Sequence, residues 1–149
     1  GQTATIDGAP VTWPAAIAGR PDNVVTGGQT IRIHRAGHTL VLLGAGTWAP
    51  ANETAKGRIT YSDGSSRSYE LSFNDWTATT ASTNSLIVTT SPSNVEPGSG
   101  VSPVPVHVYA DAIALRPGKT VQSIMLPRVN DGIVGMPHAA LHVFALGVG

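Results

Sequence analysis

The sequence predicts an all-β fold in which two antiparallel sheets pack as a sandwich. Three observations predict it. Short runs alternate apolar and polar residues, the period of a strand with one wet face and one buried face. No stretch sustains the 3.6-residue apolar period of a helix. Eleven prolines and seventeen glycines supply turn signals throughout the chain, as in sandwich folds.

The elements follow in order. Thr3 to Asp7 and Val11 to Trp13 are short β runs around Gly8. Ala15 to Asn23 reads as a Pro/Gly loop. Thr30 to His34 alternates Ile31 and Ile33 with polar neighbours. Thr39 to Leu43 is continuously apolar, which fits a strand buried on both faces. Gly44 to Asn52 is predicted to be a loop holding Trp48, and the glycines at 44 and 46 read as a turn. Leu86 to Thr90 is a strand, and Ser91 to Val101 reads as a loop of Pro, Ser, Asn and Gly. Val104, Val106 and Val108 share one strand face, with His107 and Tyr109 on the other. Ala112 to Leu115 leads into the turn Arg116-Pro117-Gly118-Lys119. Val121 to Leu126 and Leu141 to Val148 are the last strands. The chain shows no internal repeat and no domain boundary, so a single domain over 1–149 is predicted.

The stretch Arg58 to Trp76 is the most informative. Ile59 and Tyr61 alternate with polar residues, then Tyr69, Leu71 and Phe73 do the same, around Asp63-Gly64. A two-residue loop at Asp63-Gly64 would set Tyr61 opposite Ser66. The two apolar sets would then lie on opposite sheet faces. A one-residue change of register restores a single apolar face. The loop is therefore predicted to have an odd number of residues. A type I turn followed by a bulge with Gly64 at positive φ satisfies this.

Composition narrows the function classes. Charged residues are 12% and the formal net charge is zero, which argues against a nucleic-acid binder with a basic face. No apolar run approaches the ~18 residues of a membrane span, and no block of like charge suggests an anionic-membrane patch. Cysteine is absent, which removes disulfides, thiolate metal sites and thiolate nucleophiles. Abundant Thr, Ser, Gly and Asn with only two lysines suits a secreted bacterial domain. Gly1-Gln2 does not read as a native start, which predicts residues upstream.

Several segments carry a family resemblance: Asp7–Pro14 (DGAPVTWP), Gly19–Val25 (GRPDNVV), Gly27–Ile33 (GGQTIRI) and Thr39–Gly46 (TLVLLGAG). Gly57–Trp76 (GRITYSDGSSRSYELSFNDW), Leu115–Pro127 (LRPGKTVQSIMLP) and Ala140–Gly149 (ALHVFALGVG) complete the series. Together they resemble a C-terminal accessory domain of secreted actinobacterial glycoside hydrolases, galactose-binding-like and similar to the NPCBM type of carbohydrate-binding module. The resemblance implies a jelly-roll sandwich attached to a catalytic domain of the same polypeptide, with no catalytic residues of its own. It also implies one further β segment upstream of Gly1, and an extracellular location. Polysaccharide or glycan is the implied ligand, and nucleic acid and membrane are not implied partners.

Two aromatic loops are candidate sugar contacts. Trp76 stands beside Asn74 and Asp75, and Trp48 has Asn52 and Glu53 close by. An indole face stacks on the C–H face of a pyranose while amide and carboxylate groups bond its hydroxyls. Each ring also has a structural reading. Trp76 would cap the sandwich end with Asp75 bonding loop amides, and Trp48 would pack its own loop. Trp13 reads as core.

The histidines give no zinc pattern. His34 and His38 are four apart, but Gly37 and the flanking strands argue against the helix that would align them. His107 and His142 read as satisfied strand histidines. Galactose-binding-like sandwiches often hold a structural calcium. Asp22 with Asn23, and Asn130 with Asp131, are the candidate donors for such an ion. Asp63 is explained by its turn and Glu70 by a solvated strand face, so they are not read as a catalytic pair. The expected function is a non-catalytic carbohydrate-binding or carbohydrate-associated module of a glycoside hydrolase. The alternatives are a structural domain packed on the catalytic domain, or an interaction or adhesin domain with a protein partner.

Overall fold

The computed structural model describes residues 1–149 except 16, 18–19, 49–53, 79–83, 91–93, 97–99, 103 and 130–138. For 94–96 and 100–102 only the backbone is described. Among the described residues there is no helix. The strands are β1 (Thr3–Ile6), β2 (Ala9–Thr12), β3 (Val24–Val25), β4 (Thr30–Ala36), β5 (Thr39–Thr47), β6 (Ala55–Tyr61) and β7 (Ser66–Leu71). They continue as β8 (Ser85–Thr90), β9 (Asn94–Glu96), β10 (Gly100–Ser102), β11 (Val106–Ala114), β12 (Thr120–Met125) and β13 (Ala140–Val148).

Two antiparallel sheets form the sandwich. One has five strands in the order β3-β13-β5-β11-β8, the other four in the order β4-β12-β6-β7. The chain passes between the sheets from β3 to β4 to β5 to β6, from β7 to β8, and again from β11 to β12 to β13. Their facing surfaces build the main core. Leu40, Leu42, Tyr109, Ile113, Leu141 and Val143 come from the first sheet, and Ile59, Tyr61, Tyr69, Leu71, Val121 and Ile124 from the second. Each fully buried large side chain contributes about 1.5–3 kcal/mol. The hairpin β1–β2 covers the outer face of the five-stranded sheet, where Ala9 and Val11 pack on Val41, Leu43 and Ala110. Burial on both faces explains the unbroken apolar run of β5. Trp13 is half-buried at the rim of this second cluster rather than in the main core, because the main core lies beyond β5.

The β6–β7 hairpin has the predicted register. Thr60 pairs with Ser66 and Gly57 with Tyr69, leaving the odd-length loop Ser62-Asp63-Gly64. The Gly64 N–H donates to the Tyr61 carbonyl (3.0 Å) and the Tyr61 N–H to the Ser65 carbonyl (2.9 Å). Gly64 has φ 81°, which no Cβ-bearing residue adopts without cost. Tyr61, Tyr69, Leu71 and Phe73 are consequently buried on one face. The Tyr69 hydroxyl donates to the Met125 carbonyl (3.2 Å), and burial pushes that phenol above its ordinary pKa.

Four boundaries differ from the sequence reading. The predicted loop Gly44 to Asn52 starts as strand, since β5 runs on to Thr47. Its glycines are not a turn. A Cβ on Gly44 would collide with the Phe73 ring and the His142 carbonyl, so the small residues let the sheets close there. Within Ser91 to Val101, β9 and β10 pair as a short ribbon with Val101 opposite Val95. Two three-residue strands are too short to show alternation. Val104 precedes β11 instead of belonging to it, and Ala112 to Ala114 continue β11. Finally, β3 was not foreseen, because two valines show no period.

Candidate functional site

The loop after Phe73 is held by backbone bonds on both sides. The Gly46 N–H donates to the Asn74 carbonyl and the Trp76 N–H to the Gly46 carbonyl, each at 2.9 Å. These two bonds make a parallel bridge between Gly46 and Asp75. The Trp76 carbonyl accepts from the His107 N–H (2.8 Å). The loop thus extends the β5 edge beyond the point where β11 leaves it, joining Asn74 and Trp76 to Gly46 and bringing Asp75 to the Trp48 backbone.

Asp75 organises the cluster. Its Oδ1 accepts from the Thr77 N–H (2.9 Å) and the Thr77 hydroxyl (2.7 Å), which closes an Asx turn. Its Oδ2 accepts from the Trp48 N–H (2.9 Å). The Tyr109 hydroxyl donates to the Asp75 carbonyl (3.4 Å). Burial, and secondarily the Asp75 charge, push the Tyr109 phenol upward and keep it a donor.

Trp48 is held in a costly conformation. Its φ is 54°, in the left-handed region. For a bulky residue this costs roughly 1–2 kcal/mol. The other non-glycine residues at positive φ have local reasons. Asp7 lies in the two-residue turn with Gly8, and His34 lies at the bulge where Ile33 and His34 oppose Gln122. At Trp48 the Asp75 carboxylate clamps the amide, and the residue is left 64% exposed. Trp76 and Asn74 are half-buried. No hydrogen bond among the described residues engages the Asn74 side-chain amide. Asn52 and Glu53 lie outside the described residues, as do Asn130 and Asp131.

Next to Trp48 runs a polar chain that sequence reasoning missed. The Thr47 hydroxyl meets His142 Nε2 (3.2 Å), His142 Nδ1 meets Asn23 Oδ1 (2.9 Å), and Asn23 Nδ2 donates to Asp22 Oδ1 (2.9 Å). The last bond fixes the amide so that Asn23 presents its oxygen to the ring. His142 Nδ1 therefore carries the proton, and Nε2 accepts from Thr47. Burial lowers the His142 pKa, consistent with a neutral ring. Residues 142 and 47 are 95 apart in sequence, and only the pairing of β13 with β5 joins them. The sequence signal was limited to the adjacent pair Asp22-Asn23.

That pair is half-buried on the same side of the molecule. Asn23 Oδ1 and one Asp22 oxygen are already engaged by protein donors. Among the described residues, no group of three or more His, Cys, Asp or Glu converges as a metal site. The arrangement at Trp48 offers an exposed residue whose backbone the Asp75 carboxylate holds, with Thr47 of the polar chain next to it in sequence. No protein-family model matches the chain, and no curated protein matches it.

Proposed function

We propose that this chain is a non-catalytic carbohydrate-binding module, with the Trp48 indole as its stacking surface. One observation carries the reading. Trp48 is left 64% exposed on left-handed backbone, and a carboxylate holds that backbone there. Packing does not account for that cost, because the ring buries little. Holding a ring in place before the ligand arrives lowers the ordering cost of binding. A pyranose face would stack on the indole, and the neighbouring Asn74 amide and the Thr47–His142–Asn23–Asp22 chain would supply polar contacts at the rim. The jelly-roll, galactose-binding-like character and the role as accessory domain of a secreted glycoside hydrolase belong to this proposal through the sequence resemblance. Its partners would be a polysaccharide or glycan and the catalytic domain of the same polypeptide.

A second reading has its own observation. Val24 and Val25, which form the β3 edge strand, are exposed at 43% and 49%, and Ile17, earlier in the chain, at 63%. Exposed apolar groups at a sheet edge favour a structural module that packs on a neighbouring domain without binding sugar. Glycan-array screening of the isolated chain, followed by titration of the best ligand against Trp48→Ala, separates the readings. Binding that is lost on ring removal, with unchanged melting, supports the sugar site. A parent chain that binds no glycan, or a variant that binds as well as the parent, leaves the structural module.

A further inference from the structure

We propose that the outer face of the four-stranded sheet is a second ligand surface, built for an acidic polysaccharide. The chain has zero formal net charge, yet its charges are segregated. Every Lys and Arg of the described strands lies in this one sheet: Arg32, Arg35, Lys56, Arg58 and Arg67. The sheet's strands carry one carboxylate, Glu70. Among the described residues none of the five cations is in an ion pair. Glu70 stands opposite Lys56 in the ladder, but the two form no salt bridge.

Register places three of these cations on the solvent side. Arg32, Lys56 and Arg58 alternate with the inward residues Ile31, Gly57 and Ile59, and all three are exposed. Arg32, Ser123 and Thr60 lie in one cross-strand row, and Met125, Arg58 and Ser68 in the next. Neighbouring strands are about 4.8 Å apart and same-face residues along a strand about 6.8 Å apart. The three cations therefore mark a stripe crossing three strands, with hydroxyls between them and the 37%-exposed Met125 at its centre. Like charges so placed repel one another, and an acidic ligand relieves that.

The pattern selects a glycan over a nucleic acid. No Trp, Tyr or Phe side chain is exposed on these strands, where His34 of edge strand β4 supplies a lone ring, so there is no row of rings for stacking successive bases. Interleaved hydroxyls and cations instead match a polymer that alternates hydroxyl and carboxylate or sulfate groups. Trp48 follows β5 of the other sheet, so the two surfaces are separable.

The test is affinity electrophoresis of the intact chain through gels containing polygalacturonate, dextran sulfate or neutral dextran, with duplex DNA as a competitor. The parent is expected to be retarded by the acidic polymers only. Arg32→Ser, Lys56→Ser and Arg58→Ser combined should weaken that retention about tenfold, because each exposed charge contributes modestly. Retention should fade as salt approaches ~1 M, where screening acts over about 3 Å. The triple variant should melt like the parent. Equal retardation by polygalacturonate and dextran sulfate indicates general anion recognition, and preference for one names the acidic group. The proposal is overturned if the parent passes the acidic gels unretarded, if the triple variant is retained as strongly as the parent, if Trp48→Ala abolishes retention, or if DNA displaces the polysaccharide at lower concentration than the polysaccharide itself.

Discussion

Two loops of this molecule use the same local chemistry for different ends. Asp63 Oδ1 accepts from the Ser65 N–H (3.0 Å) and hydroxyl (2.7 Å), and Asp75 Oδ1 accepts from the Thr77 N–H (2.9 Å) and hydroxyl (2.7 Å). Each is an Asx turn closed by a hydroxyl residue two positions on. Their second oxygens part ways. Asp63 Oδ2 meets Lys119 Nζ (2.5 Å), which lies with Arg116 over the buried Tyr61 ring. Asp75 Oδ2 holds the amide of Trp48, whose ring is turned to solvent. The first loop closes a corner of the core; the second presents a side chain. The difference lies in what the distant partner brings, and not in the turn itself.

The largest expected contrast is between the two rings. Tyr61 is fully buried, its hydroxyl accepts from the Arg116 N–H (3.1 Å), and Tyr61→Ala should cost about 3–5 kcal/mol. Trp48→Ala should stay within roughly 0.5 kcal/mol of the parent, because an exposed ring has little burial to lose. Paired urea melts measure both. Equal losses would erase the distinction between closure and presentation.

Asp75→Ala comes next. It removes the acceptor for the Trp48 and Thr77 amides and should cost about 1–3 kcal/mol. Glycan affinity should fall with it, since Trp48 is freed to leave the left-handed region. A variant that loses stability yet keeps full affinity would separate the clamp from the site.

Backbone strain gives a smaller, sharper comparison. Gly64→Ala should cost about 1 kcal/mol, because φ at Gly64 is 81°. At Trp48 the sign reverses. Trp48→Gly should be more stable than Trp48→Ala by up to about 1 kcal/mol, as both remove the ring and only glycine accepts the left-handed backbone freely. Equal melts for the two Trp48 variants would show that the chain relaxes there once the ring is gone.

These contrasts track what the sequence made legible. Alternation at Ile59, Tyr61, Tyr69, Leu71 and Phe73 specified both the strands and the loop length, because a slip of one residue would turn a whole apolar set outward. The turn at Asp63-Gly64 and the bonding of loop amides by Asp75 were readable because each joins residues two positions apart, whereas their distant partners Lys119 and Trp48 were not. What escaped notice was non-local. Nothing near Thr47 foretells His142, and the continuation of β5 through Gly44 to Gly46 depends on a ring at Phe73 and a carbonyl at His142. Small residues look like a turn in one dimension and like a close contact in three.

The smallest expected effect tests the closing corner through pH. The Lys119 hydrogen bond, then the Ser65 hydroxyl and amide, hold the Asp63 carboxyl well below the usual carboxylate range. A carboxylate with a depressed folded pKa adds stability that is complete above its unfolded value of about 3.9 and is lost as pH falls below that. Lys119→Met should therefore differ from the parent at neutral pH, with the gap narrowing as pH drops below about 4. A pH-independent remainder should persist, because Lys119 Nζ also lies 5.7 Å from the Tyr61 ring centre. Added salt should shrink the titrating part more than the remainder, as both partners are partly exposed. Urea melts of parent and variant across the acidic range provide the measurement. A gap that stays constant across that range would mean that Lys119 acts on this corner through the ring alone, and that Asp63 serves its turn without the ion pair.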